Sequence, residues 1–178
     1  EKFSSLITKM ARLPQMIIAA VHGACAGGGF AMALAADMRI AGKSTKMNAA
    51  LIPIGLSGCE LGTSFHFPKL VGYANAAEIL MTGANVDAEK ALRLNLVNQV
   101  VDDDKIYDAA LDLAKRCLRA SWLGLRLTKQ QLRGSLDGMS LEQTIHAEDK
   151  SQVLCLNDRE CQEYLAEKSK RFLSKSKL

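Results

Sequence analysis

Apolar positions recur three and four apart at Phe3, Leu6, Ile7, Met10 and Leu13, which predicts a helix over 3–13 that Pro14 ends. An unbroken apolar run, Met16-Ile17-Ile18-Ala19-Ala20-Val21, then predicts a buried strand over 16–22. The cluster Ala26-Gly27-Gly28-Gly29-Phe30 follows, and a short helix is expected from Phe30 to Ala36. Short strands are expected near 38–41 and 46–48, on either side of a Gly42-Lys43-Ser44 turn. Residues 51–62, with Pro53, Gly55, Gly58 and Gly62, read as loop. Helices are expected over 63–71 and 74–82 and from Asp87, with a strand over 96–101. Strands alternating with helices make this an α/β core.

The pattern changes after Asp104. Ile106, Ala110, Leu113 and Cys117 mark one helical face, and helical spacing continues through Trp122, Leu125, Leu132, Leu141, Ile145, Val153, Tyr164 and Leu165. Two regions are therefore expected: an α/β core over 1–101 and an all-helical region over 102–178.

Composition narrows the function. Of 178 residues, 48% are hydrophobic, enough for a core and too many for a disordered chain. No apolar run approaches the roughly 20 residues of a membrane span. The N-terminus has neither a secretory layout nor an initiator Met, so a preceding segment is expected to be missing. Net charge is +4, but Lys168, Lys170, Arg171, Lys175 and Lys177 sit together in the tail. The body is then nearly neutral and offers no basic face for nucleic acid. Five cysteines without C-x-x-C spacing support neither a metal site nor a disulfide framework, and point to a reducing compartment. The terminal Ser176-Lys177-Leu178 has the form of a peroxisomal address, so the peroxisome and its import receptor are the expected location and partner.

Candidate chemistry begins at the glycines. Glycine lets backbone approach a ligand closely, and the first amides of a helix lack partners inside it. A strand running into Gly27-Gly28-Gly29 and then a helix could form a pocket of amide donors for an oxyanion, or simply a tight packed turn. Met32 stands where a dinucleotide fingerprint needs its third glycine, and no P-loop Lys-Ser/Thr follows. Glu60, in Ile54-Gly55-Leu56-Ser57-Gly58-Cys59-Glu60-Leu61-Gly62, is a carboxylate among small and apolar residues, which suits proton transfer. The same residues also match a capping box, with Ser57 and Glu60 three apart. Cys59 has no basic neighbour in sequence and reads as a small buried residue. His22 reads as a turn residue, His66 as helix packing, and Asp37 as a partner for backbone at a helix–strand junction.

The chain resembles the crotonase (enoyl-CoA hydratase/isomerase) superfamily. The resemblance rests on Ile18-Ala19-Ala20-Val21-His22-Gly23, Gly27-Gly28-Gly29, Ala36-Asp37-Met38-Arg39-Ile40-Ala41, Phe67-Pro68-Lys69-Leu70-Val71-Gly72, Leu80-Met81-Thr82-Gly83, Asp87-Ala88-Glu89-Lys90-Ala91 with Leu96-Val97, and Asp158-Arg159-Glu160. It implies a spiral of ββα units with a C-terminal helical region that builds a homotrimer or a dimer of trimers. It further implies acyl-CoA substrates, with CoA entering as part of the substrate and no separate cofactor. The Gly28 amide would hold the thioester oxygen, Ala26 and Gly27 would border the substrate, and Lys168 would approach the CoA phosphates. In this family the second oxyanion amide and most of the CoA surface lie before the glycine cluster, so the N-terminal part of the fold is expected to be absent. The two hydratase glutamates align with Ala31 and Leu51, neither of which moves a proton. Glu60 instead aligns with the single catalytic glutamate of the peroxisomal Δ3,Δ2-enoyl-CoA isomerases. The implied activity is a double-bond shift from 3-enoyl-CoA to trans-2-enoyl-CoA, a β-oxidation step. Enoyl-CoA hydration and a non-catalytic or incomplete homologue are the alternatives.

Overall fold

The computed structural model describes residues 2–175 and, as far as side chains are concerned, 2–169. It divides into two compact units, 1–114 and 115–178.

The first unit is built by repetition. Helix α1 (Lys2–Arg12) leads into strands β1 (Ile18–Val21) and β2 (Ala24–Ala26) and helix α2 (Gly28–Ala35). Strands β3 (Met38–Gly42) and β4 (Lys46–Asn48), a 3-10 turn (Ile52–Ile54) and helix α3 (Thr63–Val71) repeat the order. The first strand of each repeat enters one sheet and the second enters another. β1 pairs in parallel with β3, with Ile18 opposite Met38, and β2 pairs in parallel with β4, with Ala24 opposite Lys46. This is the expected ββα spiral. Helix α4 (Tyr73–Thr82), the two-residue strand β5 (Val86–Asp87), helix α5 (Ala88–Arg93) and strand β6 (Gln99–Val101) complete it. β6 extends the first sheet beside β3, and β5 runs antiparallel to β4.

The core explains why α2 lies inside. Its sequence, Gly-Gly-Phe-Ala-Met-Ala-Leu-Ala, has no polar side chain, and such a helix is buried on most sides. Phe30 meets Phe67 of α3 edge to face, with ring centroids 5.2 Å apart. On another face Ala31 and Ala35 pack with Ile7 and Met10 of α1, the buried stripe that made α1 amphipathic. Arg39 closes the C-terminal end. It is only 4% exposed, and its guanidinium donates to the carbonyls of Ala33, Ala36 and Leu96 at 3.1, 2.9 and 2.6 Å. A cation at the end of a helix satisfies carbonyls that the helix leaves unpaired. Asp37 Oδ2 accepts from the Ile17 amide at 2.8 Å, the junction role read from sequence.

Three differences from the sequence reading stand out. β2 is three residues long, too short to announce itself, and is not among the strands expected from sequence. The strand over 96–101 pairs only from Gln99, because Leu96 and Val97 turn into the core instead. α2 starts at Gly28 rather than Phe30.

The second unit is helical. Helix α6 (Ile106–Cys117) ends in it, followed by α7 (Trp122–Leu136), α8 (Leu141–Asn157) and α9 (Arg159–Lys175). Ser121 caps α7, and Ser140 with Gln143 forms a full capping box on α8. Gln131 Nε2 of α7 reaches Ser151 Oγ of α8 at 2.8 Å. Among the described residues no helix is long and apolar enough to cross a membrane.

Two outcomes test this packing. A Cβ on Gly58 would run into the Leu80 carbonyl of α4 and stand 3.0 Å from Ile52 Cγ1. Backbone cannot yield as a side-chain tip does, so Gly58→Ala should lose about 1–3 kcal/mol in urea unfolding, whereas Gly29→Ala, with open space around it, should not. Burial pushes the Cys25 thiol up from 9.0 to about 11. The folded state thus keeps a proton that the unfolded state releases above pH 9. Stability should fall by of order 2 kcal/mol as pH rises from 9 to 11, and Cys25→Ala should remove that part of the slope in pH-dependent denaturation.

Candidate active site

The site is formed where the loop before α3 meets the start of α2. Gly27 takes φ 52° and ψ −122°, a conformation that side chains avoid. Its amide donates to the Asn48 carbonyl of β4 at 3.2 Å, and its own carbonyl accepts from Ala31 at 3.0 Å. The turn is therefore fixed before the helix begins. Gly28 is the first residue of α2, so its N–H has no partner within the helix.

Glu60 arrives opposite this turn. A Cβ built on Gly27 would stand 3.3 Å from Glu60 Oε1, and one built on Gly28 would stand 3.7 Å from Leu61 Cδ1. The carboxylate, half-buried, thus lies against the triglycine turn, beside a helix start whose dipole favours negative charge. The capping-box alternative is not what forms. α3 starts at Thr63 with Gly62 as its cap, and Ser57 Oγ accepts from the Cys59 amide instead. Thr63 holds Glu60 by its backbone on both sides. The Glu60 amide donates to Thr63 Oγ1 at 3.0 Å, and the Thr63 amide donates to the Glu60 carbonyl at 2.8 Å. The carboxylate is left for other work.

The backbone at this point is strained. Leu61 has φ 48°, a left-handed conformation that a branched side chain rarely adopts. Its side chain packs with Ile7, Met10, Ala31 and Ala35, and that burial offsets the strain. Strain of this kind gathers where a side chain must be aimed.

Other candidates fall as follows. Ala26 is exposed at the end of β2, next to the turn. Lys168 lies on α9 in the second unit, with its ammonium 4.9 Å from the centre of the Tyr164 ring. Ala31 is 1% exposed in an apolar cluster, and Leu51 is half-buried just before the 3-10 turn. Cys59 corrects the sequence reading. It is exposed, because Gly58 rather than Cys59 takes the inward position against α4, and it lines a mostly apolar cavity of about 370 Å³ with Ile52, Ala76, Leu80 and Met81. His22 is exposed at its turn, and His66 is buried in α3, its ring 5.1 Å from Phe65. Thr63, Asn48 and Gly58 were not singled out from sequence as positioning residues. Only the spacing of Glu60 and Thr63 offered a signal, and it resembles an ordinary helix start. Among the described residues no group of three or more His, Cys, Asp or Glu is arranged to hold a metal.

The family model for enoyl-CoA hydratase/isomerase matches residues 1–177. The chain belongs to the enoyl-CoA hydratase/isomerase family. A probable enoyl-CoA hydratase of Mycobacterium tuberculosis is 42% identical over 153 residues, covering 86% of this chain and 54% of that protein. The 1,2-epoxyphenylacetyl-CoA isomerase of Escherichia coli K12 is 31% identical over 177 residues, covering 97% and 67%. Among solved structures, a monofunctional enoyl CoA isomerase from M. smegmatis superposes with a TM-score of 0.76 at 41% identity, over 82% of this chain and 68% of that one. An enoyl-CoA hydratase/isomerase from Cupriavidus metallidurans gives 0.83 at 31% identity, over 89% and 59%. This family member spans about half the length of the mycobacterial hydratases it matches.

The Gly27–Glu60 approach makes a direct prediction. Gly27→Ala adds a methyl against the carboxylate and also strains a positive φ; Gly23→Ala, at φ 57° with nothing within 4 Å, adds strain alone. Both should lose about 1–3 kcal/mol in chemical denaturation, with Gly27→Ala the larger loss. In a Glu60→Ala background the Gly27→Ala loss should shrink to the cost of the backbone conformation alone; an unchanged loss would mean that Glu60 does not rest on Gly27.

Proposed function

We propose that this chain carries the base of an enoyl-CoA isomerase. The observation that supports it is the Glu60 carboxylate lying against the Gly27–Gly28 turn, within reach of a thioester whose oxygen faces the first amide of α2. In this reading Glu60 takes a proton from C2 of a 3-enoyl-CoA. The freed electron pair delocalises onto the thioester oxygen, and the Gly28 N–H stabilises the dienolate. Protonated Glu60 then returns the proton to C4, and the electrons close the C2–C3 double bond of the trans-2-enoyl-CoA. One carboxyl serves both carbons on one face, so no second acid is needed.

Hydration is the second reading, favoured by the names of the mycobacterial relatives. Against it, the positions that match the two hydratase glutamates carry Ala31, shut in an apolar cluster, and Leu51. Water addition would then rest on Glu60 alone.

The proposal extends to the surroundings of the site. Ala26 and Gly27 border the acyl-CoA, and Lys168 meets its phosphates. A homotrimer or dimer of trimers is supported by apolar side chains left exposed on the second unit, among them Leu118, Leu132, Leu141 and Leu156. Ser176-Lys177-Leu178, which lies outside the described residues, would be read by the peroxisomal import receptor.

Purified protein assayed with 3-enoyl-CoA and 2-enoyl-CoA side by side tests the reading. Isomerisation should dominate, and Glu60→Gln should lower kcat by about 10²–10⁴ while leaving acyl-CoA binding by calorimetry unchanged. Retained turnover in that variant removes Glu60 from the chemistry. A folded protein that binds no CoA marks a non-catalytic homologue.

A further inference from the structure

The connection that delivers Glu60 is tied at several points to one neighbouring segment. It runs from the end of β4 to the start of α3, residues 49–62, and contains Ala50 at a left-handed φ of 57° as well as Leu61. Three contacts join this part of the chain to the end of α4 and the stretch that leads into β5. Gly58 lies against the Leu80 carbonyl. Pro53 packs on Gly83, where a Cβ would stand 2.9 Å from Pro53 Cδ. At the near end, Asn48 Nδ2 donates to Asn85 Oδ1 at 2.6 Å. That bond takes over where the backbone ladder stops. Lys46 pairs with Asp87 and Met47 with Val86, and the next residues in that register, Asn48 and Asn85, meet through their side chains.

Asn48 is the residue through which the two parts of the site are linked. Its carbonyl holds the Gly27 amide at 3.2 Å, and the chain leaves it toward Glu60. Its side chain is half-buried, and among the described residues Asn48 Oδ1 is the buried side-chain atom with no partner in the protein. A buried acceptor left unpaired costs stability, and an apolar side chain of similar shape would avoid that cost. A polar residue kept in spite of it, beside a site, is a mark of placement rather than of stability. We propose that Asn85 is a positioning residue for Glu60, acting through the Asn48 side chain; the proposal rests on the isomerase reading of the site. Asn85 is exposed and does no chemistry itself. Its Oδ1 fixes the side chain of Asn48, and Asn48 then sets both the hold on Gly27 and the direction in which residues 49–62 leave β4. Pro53 and Gly58 follow the same segment further along, so the carboxylate and the triglycine turn keep one spacing. Loss of the Asn48–Asn85 bond frees the near end of the connection while the far end stays seated on α4.

The test removes the acceptor at position 85 and then restores it, in the whole chain. Asn85→Ala should lower kcat for 3-enoyl-CoA by about 10–10²-fold and leave KM unchanged, because a base slightly out of place loses rate rather than binding. Asn85→Asp keeps an oxygen that can accept from Asn48 Nδ2 and should restore most of that loss. Asn48→Leu combined with Asn85→Leu also removes the unpaired acceptor, so its denaturation midpoint should hold or rise while kcat stays low, a split that a purely structural tie would not produce. Hydrogen exchange gives a readout that needs no turnover: amides over residues 49–62 should exchange faster in Asn85→Ala, with the rest of the first unit unchanged. A wild-type chain without isomerase activity overturns the isomerase reading, and exchange alone then decides whether Asn85 places Glu60. Unchanged exchange over 49–62, an unchanged kcat where the wild type turns over, or an Asn85→Asp variant as slow as Asn85→Ala would each overturn this inference.

Discussion

The absence of a side chain at Gly27 is the constraint on which the site depends. A methyl at Gly27 would stand 3.3 Å from Glu60 Oε1, so the carboxylate would have to give by a few tenths of an ångström, and the turn's positive φ disfavours one independently. Both requirements fall on one residue, and they fix two elements together. The turn sets where α2 begins, and so where its unpaired amides point. The same turn sets how closely the loop before α3 can approach. A bulkier residue would shift the amide and the carboxylate relative to each other, and the reaction proposed for them needs both at one substrate.

The rest of the first unit keeps that meeting point in place. α2 is held at its far end by Arg39, which spreads one buried guanidinium over carbonyls of α2, the junction after it and the segment leading to β6. A buried cation is costly unless every donor finds an acceptor, so the arrangement holds only with the helix end in register. On the other side of the site, Gly58 sits so close to the Leu80 carbonyl that loop and α4 cannot slide past each other. Between these anchors the chain accepts a left-handed leucine at position 61, and Thr63 clasps the Glu60 backbone. Strain and anchoring serve one purpose: they leave a carboxylate outside the hydrogen bonds of its own helix.

How much of this could be read from the residues depended on whether the signal was local. Helix α1, the strand around Ile18–Val21 and helices α3 and α4 follow from periodicity, because a buried stripe or run is written in consecutive residues. β2 is three residues long and has no pattern of its own; only its pairing with β4 makes it a strand. The glycine turn and Glu60 each stood out, but each also had a plain structural reading, and periodicity could not bring them together across the intervening residues. The family resemblance did that. Thr63 and Gly58 escaped notice because their roles rest on a carbonyl of another helix and on a reversed helix-start pattern. Cys59 was assigned inward for the same reason: sequence cannot tell which of two adjacent small residues faces α4.

The second unit shows how a motif that carries a resemblance can owe its form to folding rather than to chemistry. In Asp158-Arg159-Glu160, Asp158 ends α8 and caps α9 through the Cys161 amide, Arg159 pairs with Glu163 along α9 at 2.9 Å, and Glu160 Oε1 accepts the Trp122 amide at the start of α7 from 3.2 Å. Each residue meets a helix-terminus or helix-face need that backbone geometry creates. Asp158 fixes the α8–α9 corner, and Glu160 seats it on the start of α7. The α8–α9 corner thus follows from how the helix ends are capped, just as the site proposed around Glu60 follows from how Gly27 turns.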